Sequence, residues 1–229
     1  MRSLAARHSA LRRWWSHLLW WRFQLFQRRR YNRLVLEYID GRPFVILPQV
    51  FNPALFEAST FLARTLASVP LARDASVLDL GTGSGLNAIV AAQQTQQVTA
   101  SDSNPEAVRC ARINVLLNQV DDRVEVLEGD LFAPIGDRRF DVIAFNPPFF
   151  RGEPRNRLDQ AWRSPDVIER FAAGLSQHLT PDGDALVIYS SLADEAALRR
   201  AFAAHGLQYE VVAQRDVITE VLTIYRVTV

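Results

Sequence analysis

The chain has 229 residues, 48% of them hydrophobic, enough to bury one ordinary α/β core. The formal net charge is only +1 but uneven: residues 1–42 hold ten arginines against Glu37 and Asp40, and the remainder carries an acidic excess. A single cysteine, Cys110, excludes an internal disulfide, and with His8, His17, His178 and His205 it offers no metal-ligand spacing.

The first element in chain order is an arm running from Trp14 to Phe26, flanked by Arg12-Arg13 and Arg28-Arg29-Arg30. It is too short and too interrupted to span a bilayer. No small-residue cleavage site follows, so no secretory signal is expected and a cytoplasmic location is. Read as a helix, Leu11, Trp14, Trp15, Leu18, Trp21 and Leu25 share a broad face. Three readings of the arm stay open: a helix docked on the rest of the chain or on a second subunit, an arm for an anionic surface (membrane or RNA), and a transit peptide. Asp40-Gly41 then predicts a hairpin turn between Leu34–Ile39 and Phe44–Leu47, which closes a first unit at about residue 48. Residues 49–229 form the second, beginning with a helical period over Glu57–Ser68.

Val77–Leu80 is a short apolar strand running into Gly81-Thr82-Gly83-Ser84-Gly85 and a helical pattern, Leu86–Gln94. Strand, glycine turn and helix together let a ligand approach the backbone. Leu86 stands where a dinucleotide fingerprint needs glycine, and no Lys-Ser/Thr ending marks a P-loop. A second strand, Val98–Asp102, ends in an acid 21 residues after Gly81, the place where doubly wound folds hold ribose hydroxyls. Asn104-Pro105-Glu106 opens a helix by N-cap and first-turn chemistry, with Cys110 as buried filler on one face. A third strand, Arg123–Leu127, leads to Gly129-Asp130. Each acid alone is an ordinary turn residue; Asp79, Asp102 and Asp130 at the same end of successive strands point to a ligand edge.

The strand Phe140–Phe145 stops at Asn146-Pro147-Pro148-Phe149, because neither proline has an N–H for a ladder. The turn offers acceptors and an aromatic ring to a planar NH2 group: the side-chain oxygen of Asn146, the carbonyl of Pro147 and the face of Phe149. The plain alternative is a strand with a proline stop. Residues 150–163 read as a loop rich in arginine that leaves this turn and would select the substrate, with Trp162 as a core residue. Ser164-Pro165-Asp166 caps a helix over Val167–Leu179. Pro181-Asp182-Gly183 turns into the strand Ala185–Tyr189, and a helix follows over Ala193–His205. Leu207–Ala213 and Val221–Val229 form an antiparallel pair.

These residues resemble the class I S-adenosylmethionine-dependent methyltransferases, over about Gln49 to Val229. Val77–Gly85 is similar to their first motif, Asp102 to their ribose-binding acid, Asp130 to the residue beside the adenine, and Asn146–Phe149 to the Asn-Pro-Pro-aromatic motif of the amino-group branch. The stretch Val50–Ser59 resembles the segment that closes over the cofactor. The resemblance implies an α/β, Rossmann-like fold: a seven-stranded, mostly parallel sheet with one antiparallel strand and helices on both faces. It implies S-adenosyl-L-methionine held by Asp79, Gly81, Thr82, Gly83, Gly85, Asp102, Ser103, Asp130, Leu131 and Asn146, with Asn146, Pro147 and Phe149 acting on the acceptor. The first motif is closest in character to the HemK-like protein-glutamine enzymes. Phe149 is closer to the ribosomal-RNA guanine enzymes, which often carry His where this chain has Phe150. The acceptor implied is a glutamine side chain of a protein or, alternatively, the exocyclic amine of guanine or adenine in RNA. A reading of another class keeps the fold as a non-catalytic binding module.

Overall fold

The structure, a computed structural model, describes residues 33–217 and 220–229. The tryptophan-rich arm and its three readings lie outside them. Val35–Ile39 (β1) and Arg42–Ile46 (β2) form the expected hairpin. Its two turn residues, Asp40 and Gly41, both have positive φ (47° and 79°), the twist that matches flanking strands. The hairpin shares the main core through Ile39, Phe44 and Ile46. Asn114 acts as its side-chain partner, accepting from the Val45 N–H at 2.7 Å and donating to the Val45 carbonyl at 2.8 Å.

A 3-10 turn at Pro53–Leu55 precedes the helix Glu57–Ser68 (α1). Then come Ser76–Leu80 (β3), Leu86–Ala91 (α2), Gln97–Asp102 (β4), Pro105–Leu117 (α3), Val124–Glu128 (β5) and Phe140–Phe145 (β6). The short strands Phe150–Arg151 (β7) and Arg163–Ser164 (β8) lead to Val167–His178 (α4), Leu179–Ser190 (β9), Glu195–Ala204 (α5), Gln208–Asp216 (β10) and Val221–Thr228 (β11). Seven strands make one sheet in the order β10-β11-β9-β6-β3-β4-β5. β11 runs antiparallel to both of its neighbours, and the other pairs are parallel.

Strand alternation splits the core into two layers. Val77, Val98, Val126, Val142 and Ala144 face α1, α2, α3 and the hairpin. Leu78, Leu80, Ile143, Phe145 and Val187 face α4 and α5, where Phe171, Leu175 and Phe202 are buried. Cys110 is buried filler in the first layer, and burial pushes its thiol up to about 11.

Three elements differ from expectation. β9 begins at Leu179, ahead of the expected Ala185, and the expected turn at Pro181-Gly183 sits inside it as a wide bulge, with Leu179 opposite Phe140 and Asp184 opposite Val142. Thr180 holds the strand by donating to Asp141 at 2.9 Å, and Gly183 lies so close that a Cβ there would meet the Phe140 carbonyl at 2.7 Å. The helix after the glycine turn closes at Ala91, not Gln94, because Thr95 folds back to the carbonyls of Arg73 and Ala75. Residues 150–163 are not a bare loop: β7 pairs with β8, and Asp159–Ala161 is a 3-10 turn.

β3 and β6 are neighbours, with Leu80 opposite Phe145. From β3 the chain moves outward to β4 and β5, then returns to the other side of β3 as β6. Their carboxyl ends therefore flank the switch point of the sheet, where open α/β folds bind ligands. Gly81 leaves one of these ends and Asn146 leaves the other.

Candidate active site at the carboxyl ends of β3 and β6

A cavity of about 490 Å³ opens between these two strand ends. Among the residues expected to hold the cofactor, Gly81, Thr82, Gly83, Asp102, Ser103, Asp130, Leu131 and Asn146 line it. Asp79, Gly85, Pro147 and Phe149 are not in its lining.

The glycine turn is shaped from below. Gly81, Gly83 and Gly85 have φ of 69°, 58° and 88°, a region that disfavours larger residues. Asp79 is buried beneath them. Its carboxylate accepts from the Thr82 hydroxyl at 2.5 Å, the Ala88 N–H at 3.0 Å and the Asn87 amide at 3.1 Å. Burial raises its pKa, and the three donors work against that rise. Asp79 thus holds the turn instead of touching a ligand, which corrects its reading as a cofactor contact. Gly85 serves helix packing: a Cβ there would lie 3.3 Å from the backbone of Ala111 on α3. At Gly83 a Cβ would meet nothing within 4 Å, so this backbone is open to a ligand.

Asp102 stands on the cavity wall. One oxygen accepts from the Gly83 N–H at 2.8 Å and the other from the Asn104 N–H at 2.9 Å. Burial lifts its pKa to about 6 in spite of these donors. Each carboxylate oxygen keeps lone pairs for further donors such as ribose hydroxyls. Asp130 is paired with Arg170 of α4, and Leu131 beside it has a φ of 47°. The opposite wall comes from the segment ahead of α1. Gln49, Phe51 and Pro53 line the cavity, and side-chain bonds pin the segment: Asn104 donates to the Gln49 carbonyl at 3.0 Å, and Asn52 donates to Glu37 at 2.9 Å. Gln49, at a φ of 66°, has no motif to announce it in the sequence. The cavity falls within the usual volume range of small-ligand sites, about 300–1,000 Å³. Its open glycine backbone and hydroxyl-accepting acid suit a nucleoside.

Asn146 closes β6. Its Nδ2 donates to the Ser59 hydroxyl of α1 at 3.1 Å. Its Oδ1 accepts from none of the described residues and stays accessible. Pro147 is buried. Phe149 packs edge-on against Tyr189, with centroids 5.9 Å apart, and joins both core layers. The half-buried ring braces the turn from behind. Trp162, read as core, is half-buried instead. It stands edge-on to Phe51 and Phe56 at 5.5 and 6.0 Å and ties the segment after the turn to the cofactor wall. Glu153, Arg157 and Gln160 of that segment also line the cavity. Sequence reasoning placed the segment there without singling out Arg157. Ser59 it named only as part of a stretch, because contact with Asn146 spans 87 residues of chain.

Comparison with known proteins brings the same region forward. The chain is 36% identical over 170 residues to the ribosomal protein uL3 glutamine methyltransferase of Bradyrhizobium diazoefficiens, covering 67% of this chain and 52% of that protein. It is 32% identical over 176 residues to the release factor glutamine methyltransferase of Geobacter sulfurreducens, covering 68% of this chain and 60% of that one. The chain thus spans roughly half to three fifths of these relatives' lengths. In fold it is similar to the T. thermophilus 16S rRNA N2 G1207 methyltransferase RsmC, solved with AdoMet and guanosine. The TM-score there is 0.65 at 21% identity, over 85% of this chain and 49% of that one. The methyltransferase small domain model matches residues 42–217, from β2 to just past the end of β10. A match of that extent, on a sheet of this order with its crevice at the switch point, makes the chain a member of the methyltransferase small domain family.

Proposed function

We propose that the protein is an S-adenosylmethionine-dependent N-methyltransferase, and that its acceptor is a planar NH2 group, first of all a glutamine side chain of a protein. The observation that carries this reading is Asn146: its amide nitrogen is occupied by Ser59 while its oxygen remains accessible beside a nucleoside-sized cavity. The names of the two glutamine methyltransferase relatives support the choice of acceptor, and we place the reaction in the cytoplasm.

When bound, S-adenosylmethionine supplies an electrophilic methyl group. Gly81 and Gly83 give it backbone to lie on, and Asp102 takes the ribose hydroxyls. Asn146 and Pro147 act on the acceptor. The Asn146 Oδ1 and the Pro147 carbonyl accept the two N–H groups of the incoming nitrogen, hold it in the plane of the turn and stabilise the positive charge that grows on it. Acceptors fixed in advance in a site shielded from water act without reorganising, and each contributes on the order of 3 kcal/mol in comparable sites. Amide and nucleobase nitrogens are weak nucleophiles, so positioning supplies much of the rest. Proton loss follows transfer, and no side chain has to act as base.

A second reading, transfer to an exocyclic amine of an RNA base, draws on Arg157, which lines the cavity and has no ion pair among the described residues. Incubation of the protein with methyl-labelled cofactor and cell extract separates the readings. Label removed by protease supports the first, and label removed by nuclease supports the second. Label in neither fraction favours a binding module.

A further inference from the structure

We infer that Ser59 is a positioning residue that presents the oxygen of Asn146 to the methyl acceptor; the inference rests on the N-methyltransferase reading above. An asparagine amide offers two different ends, an oxygen that accepts and an NH2 that donates. A nitrogen that arrives with its hydrogens attached can use only the oxygen. Turning the terminal torsion of Asn by half a circle exchanges the two ends, and that torsion is broad and roughly two-fold. An unassisted Asn146 would therefore present the wrong end for part of the time.

The turn itself does little to break the tie, because Pro147 and Pro148 have no N–H to anchor the oxygen or repel the NH2. Ser59 does so from another part of the chain. Its hydroxyl lies 3.1 Å from Nδ2 and accepts from it, which leaves Oδ1 facing away from the helix. The serine is 7% exposed, and the other buried residues of α1 are apolar: Ala58, Leu62, Ala63 and Leu66. A lone hydroxyl on an otherwise apolar face is costly to bury without a partner, and Asn146 is its one partner among the described residues. The hydroxyl could serve the amide in either sense, but only acceptance from Nδ2 leaves an acceptor for the substrate. Ser59 also lines the cavity at the end of the segment that supplies Phe51 and Pro53.

The test compares wild type with Ser59→Ala, Ser59→Val, Ser59→Thr and Asn146→Ala. Initial rates are read as labelled methyl groups entering the protein fraction of an extract, and S-adenosylhomocysteine affinity is read by calorimetry. Ser59→Ala and Ser59→Val lower the rate about fivefold, the factor for one hydrogen bond of ordinary net strength. Cofactor affinity stays within about twofold, since Ser59 acts on the acceptor side. Ser59→Thr, which has the shape of Val and the hydroxyl of Ser, restores the rate. Equal rates for Val and Thr, unimpaired rates for Ala and Val, or a parallel loss of cofactor affinity would overturn the positioning role. A wild-type rate for Asn146→Ala would instead remove the reading on which the inference rests.

Discussion

In the proposed reaction two side chains, Asn146 and Asp102, divide the work of the crevice, and each can be tested alone. Asn146→Ala should lower methyl transfer by about 10²–10³, the usual cost of removing one fixed partner of developing charge. Affinity for S-adenosylhomocysteine should barely change; an equal fall in both would make the turn structural. Asp102 answers to pH. Its folded pKa, about 6, lies above the ordinary carboxylate value. Its contribution to stability is therefore fully present below the unfolded pKa and is lost as pH rises through 6. Ligand binding runs the other way, because ribose hydroxyls need the ionised acceptor. Calorimetry from pH 8 to 5 should show constant affinity down to about 6, then a fall approaching tenfold per unit, and Asp102→Asn should flatten that profile. Both residues were legible in the sequence from the strand ends they close. Asp79 was legible as important but not in its role. It sits one residue short of the end of β3, and nothing local tells whether such a carboxylate points at a ligand or at the donors beneath the turn.

Among the elements, α1 matters more than its modest sequence pattern suggests. It buries Leu62 and Leu66 completely and carries Ser59 to Asn146. Leu66→Ala should cost about 2–5 kcal/mol in chemical denaturation. The glycine turn depends likewise on α3: Gly85→Ala combines a φ of 88° with a 3.3 Å approach to Ala111, so it should weaken cofactor binding and stability together. That pairing separates it from Asp102→Asn, which should act mainly on binding. Glu57–Ser68 was readable to the residue because its apolar positions recur at helical spacing. The turn at Pro181-Gly183 was readable because proline and glycine signal it locally, whereas the pairing of Leu179 ahead of it is set by Phe140, about 40 residues away. The aromatic group of Phe51, Phe56 and Trp162 was hidden for the same reason.

At the scale of the molecule, the parallel sheet was foreseeable from alternating strands and helices and its ligand edge from the acids at the strand ends, whereas the strand order, which sets the crevice between β3 and β6, comes only from the structure. Saturation with S-adenosylhomocysteine at a hundred times its Kd should raise the melting temperature by roughly 5–10 °C, the shift expected for about 2.7 kcal/mol in a domain of this size. No shift would mean that the crevice does not take the nucleoside. The reversed strand has a consequence of its own. Because β11 runs against its neighbours, it starts at the same rim where they finish, and Glu220 just ahead of it already bonds Ser190 at the finish of β9. The rim thus has a second border beyond the β7–β8 segment, away from the glycine turn. Residues along that border could be grafted or randomised to change what meets the rim while leaving the glycine turn untouched.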